Sequence, residues 1–237
     1  MIGKIHSIES LSTVDGPGIR YVVFMQGCEL RCSFCHNVDT WEKDAGKEIS
    51  SDELVKKILQ AKEYIKTGGV TFTGGEPLLQ AKFLNEVCIK LKKNNINVVI
   101  DTAGNFDTDD KDINDLLENV DLVLFDIKHI DTNEHKKLVG VTNEKILKMA
   151  KYISNIKKVP MWIRIVYIPG ITDIGYSLQK CKEFIGTLNK VEKVEILPYH
   201  EMGKYKWKEL GIKYRLNNIK IPTEKECTQI ENFINNK

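Results

Sequence analysis

Six cysteines in 237 residues are too few for a disulfide scaffold, so they are expected to stay reduced. The six prolines gather in no Pro/Ser-rich linker, and no repeat or low-complexity tract interrupts the chain. Residues 1–237 are therefore read as a single domain. No apolar run approaches the ~18 residues that span a bilayer, and Met1 to Thr13 lacks the basic flank and apolar stretch of a secretory signal. A cytoplasmic chain with no membrane partner is expected. The net charge is only +2, without the strongly basic balance of a nucleic-acid binder, so no nucleic-acid partner is expected either. That small sum hides an uneven split. Residues 1–127 carry 14 Lys+Arg against 21 Asp+Glu, and the remainder 21 against 12, which is read as solvated lysine faces rather than a partner patch. What is present is the 42% hydrophobic, 29% charged composition of a folded domain with a sizeable core.

Short β-branched or aromatic runs alternate with longer segments of helical period. The spacing predicts strands at Tyr21–Gln26, Gly69–Thr73, Asn97–Asp101, Leu122–Ile127, Met161–Ile168 and Lys193–Leu197. Helices are predicted at about Ser51–Lys66, Gln80–Asn94, Asp110–Asn119, Asn143–Ile156, Ile174–Leu188 and Thr223–Ile234. Six strand-helix units call for parallel strands with right-handed crossovers, an α/β fold. A closed eight-unit barrel uses about 250 residues, so a partial (β/α)6 barrel is the expectation. Ligands in such folds bind beyond the carboxyl ends of the strands.

Directly after the first predicted strand comes Gly27-Cys28-Glu29-Leu30-Arg31-Cys32-Ser33-Phe34-Cys35-His36. A Cys3His zinc site fits poorly, because Cys35 and His36 are adjacent and zinc modules use wider ligand gaps. Cys32-Ser-Phe-Cys35-His36 also matches covalent haem attachment, which would need export. Three thiolates in one loop suit an iron-sulfur cluster. In a 4Fe-4S cubane, three cysteine ligands leave one iron open to a substrate. Cys28, Cys32 and Cys35, in the spacing Cys-x3-Cys-x2-Cys with an aromatic before the last, resemble the signature of the radical S-adenosylmethionine enzymes. The isolated Cys88, Cys181 and Cys227 read as small buried hydrophobes.

Thr73-Gly74-Gly75-Glu76-Pro77 follows the second strand and by itself reads only as a turn. Asp101-Thr102-Ala103 ends the third strand and Asp126-Ile-Lys128 the fourth. Their plain readings are a helix N-cap for Asp101 and an ion pair with Lys128 for Asp126. Arg164 lies within the fifth strand, and the sixth leads into Tyr199-His200-Glu201-Met202-Gly203, where His200 reads by itself as a loop histidine. Trp41, Trp162 and Trp207 are read as packing residues.

Ser12-Thr-Val-Asp15-Gly-Pro-Gly-Ile-Arg20, Cys35-His-Asn-x-Asp-Thr-Trp41 and Tyr199-His-x-Met-Gly203 together resemble the glycyl-radical-enzyme activating enzymes, in one register from about Ile5 to Leu210. The resemblance implies a radical S-adenosylmethionine fold and reductive cleavage of S-adenosylmethionine at a single 4Fe-4S cluster. A glycine α-hydrogen of a partner glycyl radical enzyme, with pyruvate formate-lyase as the expected type, would then be abstracted. Flavodoxin or ferredoxin is the implied reductant. By position in the motifs, the resemblance assigns Gly74, Gly75 and Glu76 to the cofactor. It assigns Asp101, Thr102 and Asp126, with a main-chain carbonyl near Leu124, to a monovalent cation, sodium or potassium, beside the cofactor carboxylate. Lys128 and Arg164 become cofactor or active-site residues, and His200 a contact to the adenine end. Ala103 stands where the pattern usually has Asn. Two rivals remain open: a radical enzyme acting on a small molecule such as a pterin, and a non-catalytic iron-sulfur electron carrier.

Overall fold

The chain opens with a strand outside the predicted set: Ile2–Ser12 (β1) runs antiparallel to Arg20–Met25 (β2), with Ile5 opposite Met25 and Ser12 opposite Arg20. Two register shifts interrupt this pairing, so β1 does not show the clean two-residue alternation by which strands are read. The computed structural model describes residues 1–235, which fall into two compact units.

The first unit comprises Met1–Glu29, Thr40–Thr102 and Asp107–Leu124. After β2 come Lys47–Ser50 (β3), Ser51–Gln60 (α1), Gly69–Gly74 (β4), Ala81–Lys92 (α2), Val98–Thr102 (β5), Lys111–Leu117 (α3) and Leu122–Asp126 (β6), whose last two residues belong to the second unit. Strand order here is β3-β1-β2-β4-β5-β6. β2, β4 and β5 are parallel, with Met25 opposite Gly74 and Phe72 opposite Ile100. Val22, Val23, Val70, Phe72, Val98, Val99 and Ile100 are wholly buried, as expected for parallel strands covered on both faces. Ser50 caps α1 by accepting the Glu53 N–H at 3.1 Å. That helix ends at Gln60, short of the predicted Lys66, because the chain continues in tight turns from Lys62 N–H to Leu59 and from Tyr64 N–H to Ala61.

Arg20 stands at the amino end of β2 and is wholly buried. Its Nε donates to Thr71 Oγ1 at 2.6 Å, and its terminal nitrogens donate to the carbonyls of Pro17 and Val70 and to Asn97 Oδ1. Thr71 Oγ1 in turn donates to the Asp15 carbonyl at 2.6 Å. Burial lowers the guanidinium pKa to about 10 against the attraction of Asp121 and Asp15. The Asp-Gly-Pro-Gly loop is thus stapled to the amino ends of β2 and β4, opposite the ends where parallel α/β folds bind ligands.

The second unit comprises Leu30–Asp39, Ala103–Phe106 and the chain from Phe125. Its elements are the end of β6, then Thr132–Val139 (α4), Glu144–Lys151 (α5) running into a π-helical turn at Tyr152–Lys157, Met161–Tyr167 (β7), Ser177–Ile185 (α6), Val191–Pro198 (β8), Lys204–Glu209 (α7) and Glu224–Asn235 (α8). β7 lies between β6 and β8 and runs parallel to β8, with Arg164 opposite Glu195. Helices α4 and α7 are also outside the predicted set. Each buries too few residues to make a periodic stripe: His135, Leu138 and Val139 in α4, and Trp207 alone in α7. Asp131 caps α4, and Gly140, at φ +93°, ends it.

The predicted α/β class is the class observed, and all six predicted strands form within two residues of their expected bounds. The antiparallel β1 and β3 are additions to it. Among the described residues, no helix is long and apolar enough to cross a membrane.

Candidate functional site

In the first unit, β4 delivers Gly74 and Gly75 against the chain that leaves β2. The Gly75 N–H donates to the Met25 carbonyl at 3.0 Å and the Glu76 N–H to the Gly27 carbonyl at 2.8 Å. A Cβ on Gly75 would stand 2.2 Å from the Gly27 carbonyl oxygen, and one on Gly74 2.5 Å from the Met25 nitrogen. Both glycines are therefore required by backbone packing beneath the start of the cysteine loop, whatever else they contact. Glu76 is buried; its Oε1 accepts the Thr102 hydroxyl at 2.6 Å and the Leu78 N–H at 3.1 Å, capping the short turn Pro77–Gln80. Asp101 Oδ2 accepts the Thr73 hydroxyl at 2.7 Å. No helix starts at Asp101, so it is not the N-cap that the plain reading of its sequence offered; Asp110 caps α3 instead. The strand-end acids and threonines of β4 and β5 are thereby joined pairwise.

The cysteine loop starts in the first unit at Cys28, whose N–H donates to the Trp41 carbonyl at 3.3 Å. Cys32 and Cys35 lie in the second unit, where the amides on either side of Cys32 are aimed at the end of α4. Arg31 N–H donates to the Val139 carbonyl and Ser33 N–H to the Leu138 carbonyl, each at 2.8 Å. A helix leaves its last carbonyls without intrahelical partners, and here the loop supplies them. The Asn37 N–H donates to Cys35 Sγ at 3.4 Å. Cys28 and Cys32 are buried and Cys35 is half-buried. Among the described residues, no group of three or more His, Cys, Asp or Glu side chains stands ready to hold a metal ion. The donor chemistry nevertheless fits an iron-sulfur cluster: three thiols in one loop, one already accepting an amide hydrogen bond of the kind that cluster thiolates accept. A zinc ligand role for His36 fits less well. Its Nε2–H donates to the His200 carbonyl at 3.0 Å.

Asp126 and Lys128 form an ion pair at 2.5 Å, both largely buried, so the plain reading of that pair is realised. The Lys128 ammonium also lies 5.7 Å from the centroid of the Phe34 ring, inside the cysteine loop. Arg164 faces Glu195 across β7 and β8, with Nε 3.8 Å from Oε2, and Lys193 reaches the same carboxylate at 2.7 Å. Glu195 escapes sequence reading because its position on β8 acquires meaning only through its register with Arg164. His200 is no free loop histidine: its ring stacks on His36 with centroids 4.1 Å apart and planes 15° from parallel. Burial, and then the charge of His36, push its pKa below the ordinary value.

Trp207 is the main residue that sequence reading assigned too small a part. It is buried as expected for packing, yet its Nε1–H donates to the Cys35 carbonyl at 2.8 Å. Cys88, Cys181 and Cys227 are buried as expected, and burial raises all three thiol pKa values, to about 12 at Cys181.

Residues 22–175 match the radical SAM superfamily. The chain is 46% identical over 240 residues to the pyruvate formate-lyase-activating enzyme of Staphylococcus epidermidis, covering 98% of this chain and 95% of that one. Against the Staphylococcus aureus enzyme of the same name the identity is 45% over 242 residues, covering 99% and 96%. The crystal structure of a domain of pyruvate-formate lyase-activating enzyme from Bacteroides vulgatus superposes with a TM-score of 0.56 at 27% identity, covering 70% of this chain and 94% of that one.

Proposed function

The chain belongs to the radical SAM superfamily, and on that premise we propose that it activates a glycyl radical enzyme, pyruvate formate-lyase, by abstracting hydrogen from a glycine of that partner. The observation that carries this reading is the stacking of His36 on His200. It joins the Cys-His-Asn-x-Asp segment to the Tyr-His-x-Met-Gly segment, two of the three motifs by which the sequence resembles activating enzymes rather than radical enzymes at large. The near-complete coverage of activating-enzyme relatives supports the same reading, and supports treating the whole chain as one functional domain.

Cys28, Cys32 and Cys35 would hold the cluster. When bound and reduced, a 4Fe-4S cluster supplies the electron that cleaves S-adenosylmethionine. The chain's own part is positioning. The α4 carbonyls and Trp207 hold the loop backbone, and Lys128 above Phe34 places a cation beside it. By motif position, Gly74, Gly75 and Glu76 would contact the cofactor's methionine end and His200 its adenine end, and Arg164, beside Glu195, would offer a guanidinium. Asp101, Thr102, Asp126 and the carbonyl near Leu124 are assigned a sodium or potassium ion by motif position. Flavodoxin or ferredoxin is the proposed reductant, the cytoplasm the proposed compartment and anaerobic glucose metabolism the setting.

Reduced, reconstituted protein incubated anaerobically with S-adenosylmethionine and pyruvate formate-lyase should give a glycyl-radical doublet in electron paramagnetic resonance, with 5′-deoxyadenosine in comparable amount. Cleavage of the cofactor with no radical on any of several glycyl radical enzymes would move the assignment to a small-molecule substrate. Replacing all small cations by a bulky organic one should weaken S-adenosylmethionine binding to the wild type; unaltered binding removes the cation.

A further inference from the structure

The segment that carries the last cysteine of the loop is gripped at Cys35, His36, Asn37 and Asp39 by residues 200–207. Trp207 Nε1–H holds the Cys35 carbonyl. The ring and carbonyl of His200 hold the ring of His36. Lys206 Nζ reaches Asn37 Oδ1 at 3.3 Å and the Asp39 carboxylate at 3.0 Å. Gly203 lies so close that a Cβ there would stand 2.6 Å from His36 Cα. Behind this contact the Trp207 ring is set edge-on to Tyr214, with centroids 5.3 Å apart, and Tyr214 shares a 2.8 Å hydrogen bond with Tyr199. The indole is thus fixed on its far side and presents a single donor to the loop.

What this grip controls is the short stretch between the Cys35 carbonyl and the Asn37 amide, whose N–H donates to Cys35 Sγ. Amide donors to cluster sulfurs stabilise the extra negative charge of the reduced state and so raise the reduction potential. We propose that Trp207 is a positioning residue for the cluster: by pinning the Cys35 carbonyl it maintains the Asn37 N–H···Sγ hydrogen bond and thereby sets the reduction potential. The inference rests on the reading that Cys35 is a cluster thiolate. Mere packing would be served by any large ring, whereas this role needs the indole N–H.

The test is a redox titration followed by electron paramagnetic resonance on anaerobically reconstituted protein without S-adenosylmethionine. Trp207→Phe keeps a ring and removes the donor; its midpoint should fall, with the reduced fraction at the wild-type midpoint several-fold smaller. Tyr214→Phe, which loses a hydroxyl behind the indole, should titrate like wild type. An unchanged midpoint in folded, cluster-bearing Trp207→Phe overturns the proposal, as does an equal shift in Tyr214→Phe. If Trp207→Phe does not fold, incorporating benzothienylalanine in place of Trp207 decides: it keeps the bicyclic ring and lacks the N–H, and an unmoved midpoint there overturns the proposal. Iron and sulfide analysis of the wild type stands apart from these outcomes, since absence of a cluster would overturn the reading of Cys35 itself.

Discussion

His36 and His200, separated by 164 positions in sequence, lie ring on ring with Gly203 pressed against the His36 backbone. Any side chain at position 203 must displace that backbone. Gly203→Ala is therefore expected to cost about 1–3 kcal/mol by overpacking and to reduce iron retention. Urea denaturation and iron content after desalting measure the two effects. Unchanged iron retention in Gly203→Ala would show that the contact has no bearing on the cysteine loop.

Cys32 sits between the two amides that the end of α4 receives, so Cys32→Ala should leave the loop backbone in place and remove a ligand. The expected outcome is loss of most bound iron with little change in the melting temperature of the apoprotein. Cys88→Ser, Cys181→Ser and Cys227→Ser should retain full iron, apart from packing losses. Iron loss in any of these three, with the fold intact, would contradict the assignment.

Removing the buried Arg20 guanidinium deprives Thr71, the Val70 carbonyl and Asn97 of a charged donor at once. Buried acceptors left without partners cost about 1–3 kcal/mol each, so Arg20→Met should destabilise by about 3 kcal/mol or more. The denaturation midpoint should fall with the slope unchanged. Arg20→Lys keeps the charge without the planar set of donors and should lie between the two. A loss below 1 kcal/mol in Arg20→Met would mean that water replaces the bonds.

The Glu86 carboxylate accepts from Lys90 at 2.7 Å and Ser51 at 2.6 Å and lies 3.0 Å from the Met1 ammonium, which together hold its pKa at about 2 rather than the ordinary 4.5. A carboxylate with a depressed folded pKa stabilises the fold above its unfolded value, and that contribution is lost as pH falls through 4.5 toward 2. Solvent reaches the group, so the effect is modest. Glu86→Gln should flatten the acid limb of the stability curve in that window and leave the region above pH 6 with a constant offset. Parallel curves for the two proteins below pH 4.5 would rule this out.

Much of the architecture could be read from local pattern. Strands β2, β4, β5 and β6 announce themselves because burial on both faces selects continuous apolar runs, as in Val98-Val99-Ile100, whereas β7 and β8 are legible through alternation, as in Val194 to Leu197. β1 and β3 escaped that reading because bulged pairing and part-exposed residues leave no two-residue alternation to detect. Short helices such as α7 escaped for a related reason: a single buried side chain makes no period.

The sequence by itself determined the chemistry on offer, since thiol spacing, the Gly-Gly-Glu-Pro turn and strand-end acids are local features set by a few neighbouring residues. Only tertiary structure decided which of those residues hold one another. Gly75 is required by the Gly27 carbonyl, Thr102 donates to Glu76, Arg164 faces Glu195, and Trp207 reaches back across 172 positions to the backbone of Cys35. The physical reason is that hydrogen bonds and ring contacts act over a few ångströms of space. Partners far apart along the chain become legible only when the strands and loops between them have been folded into register.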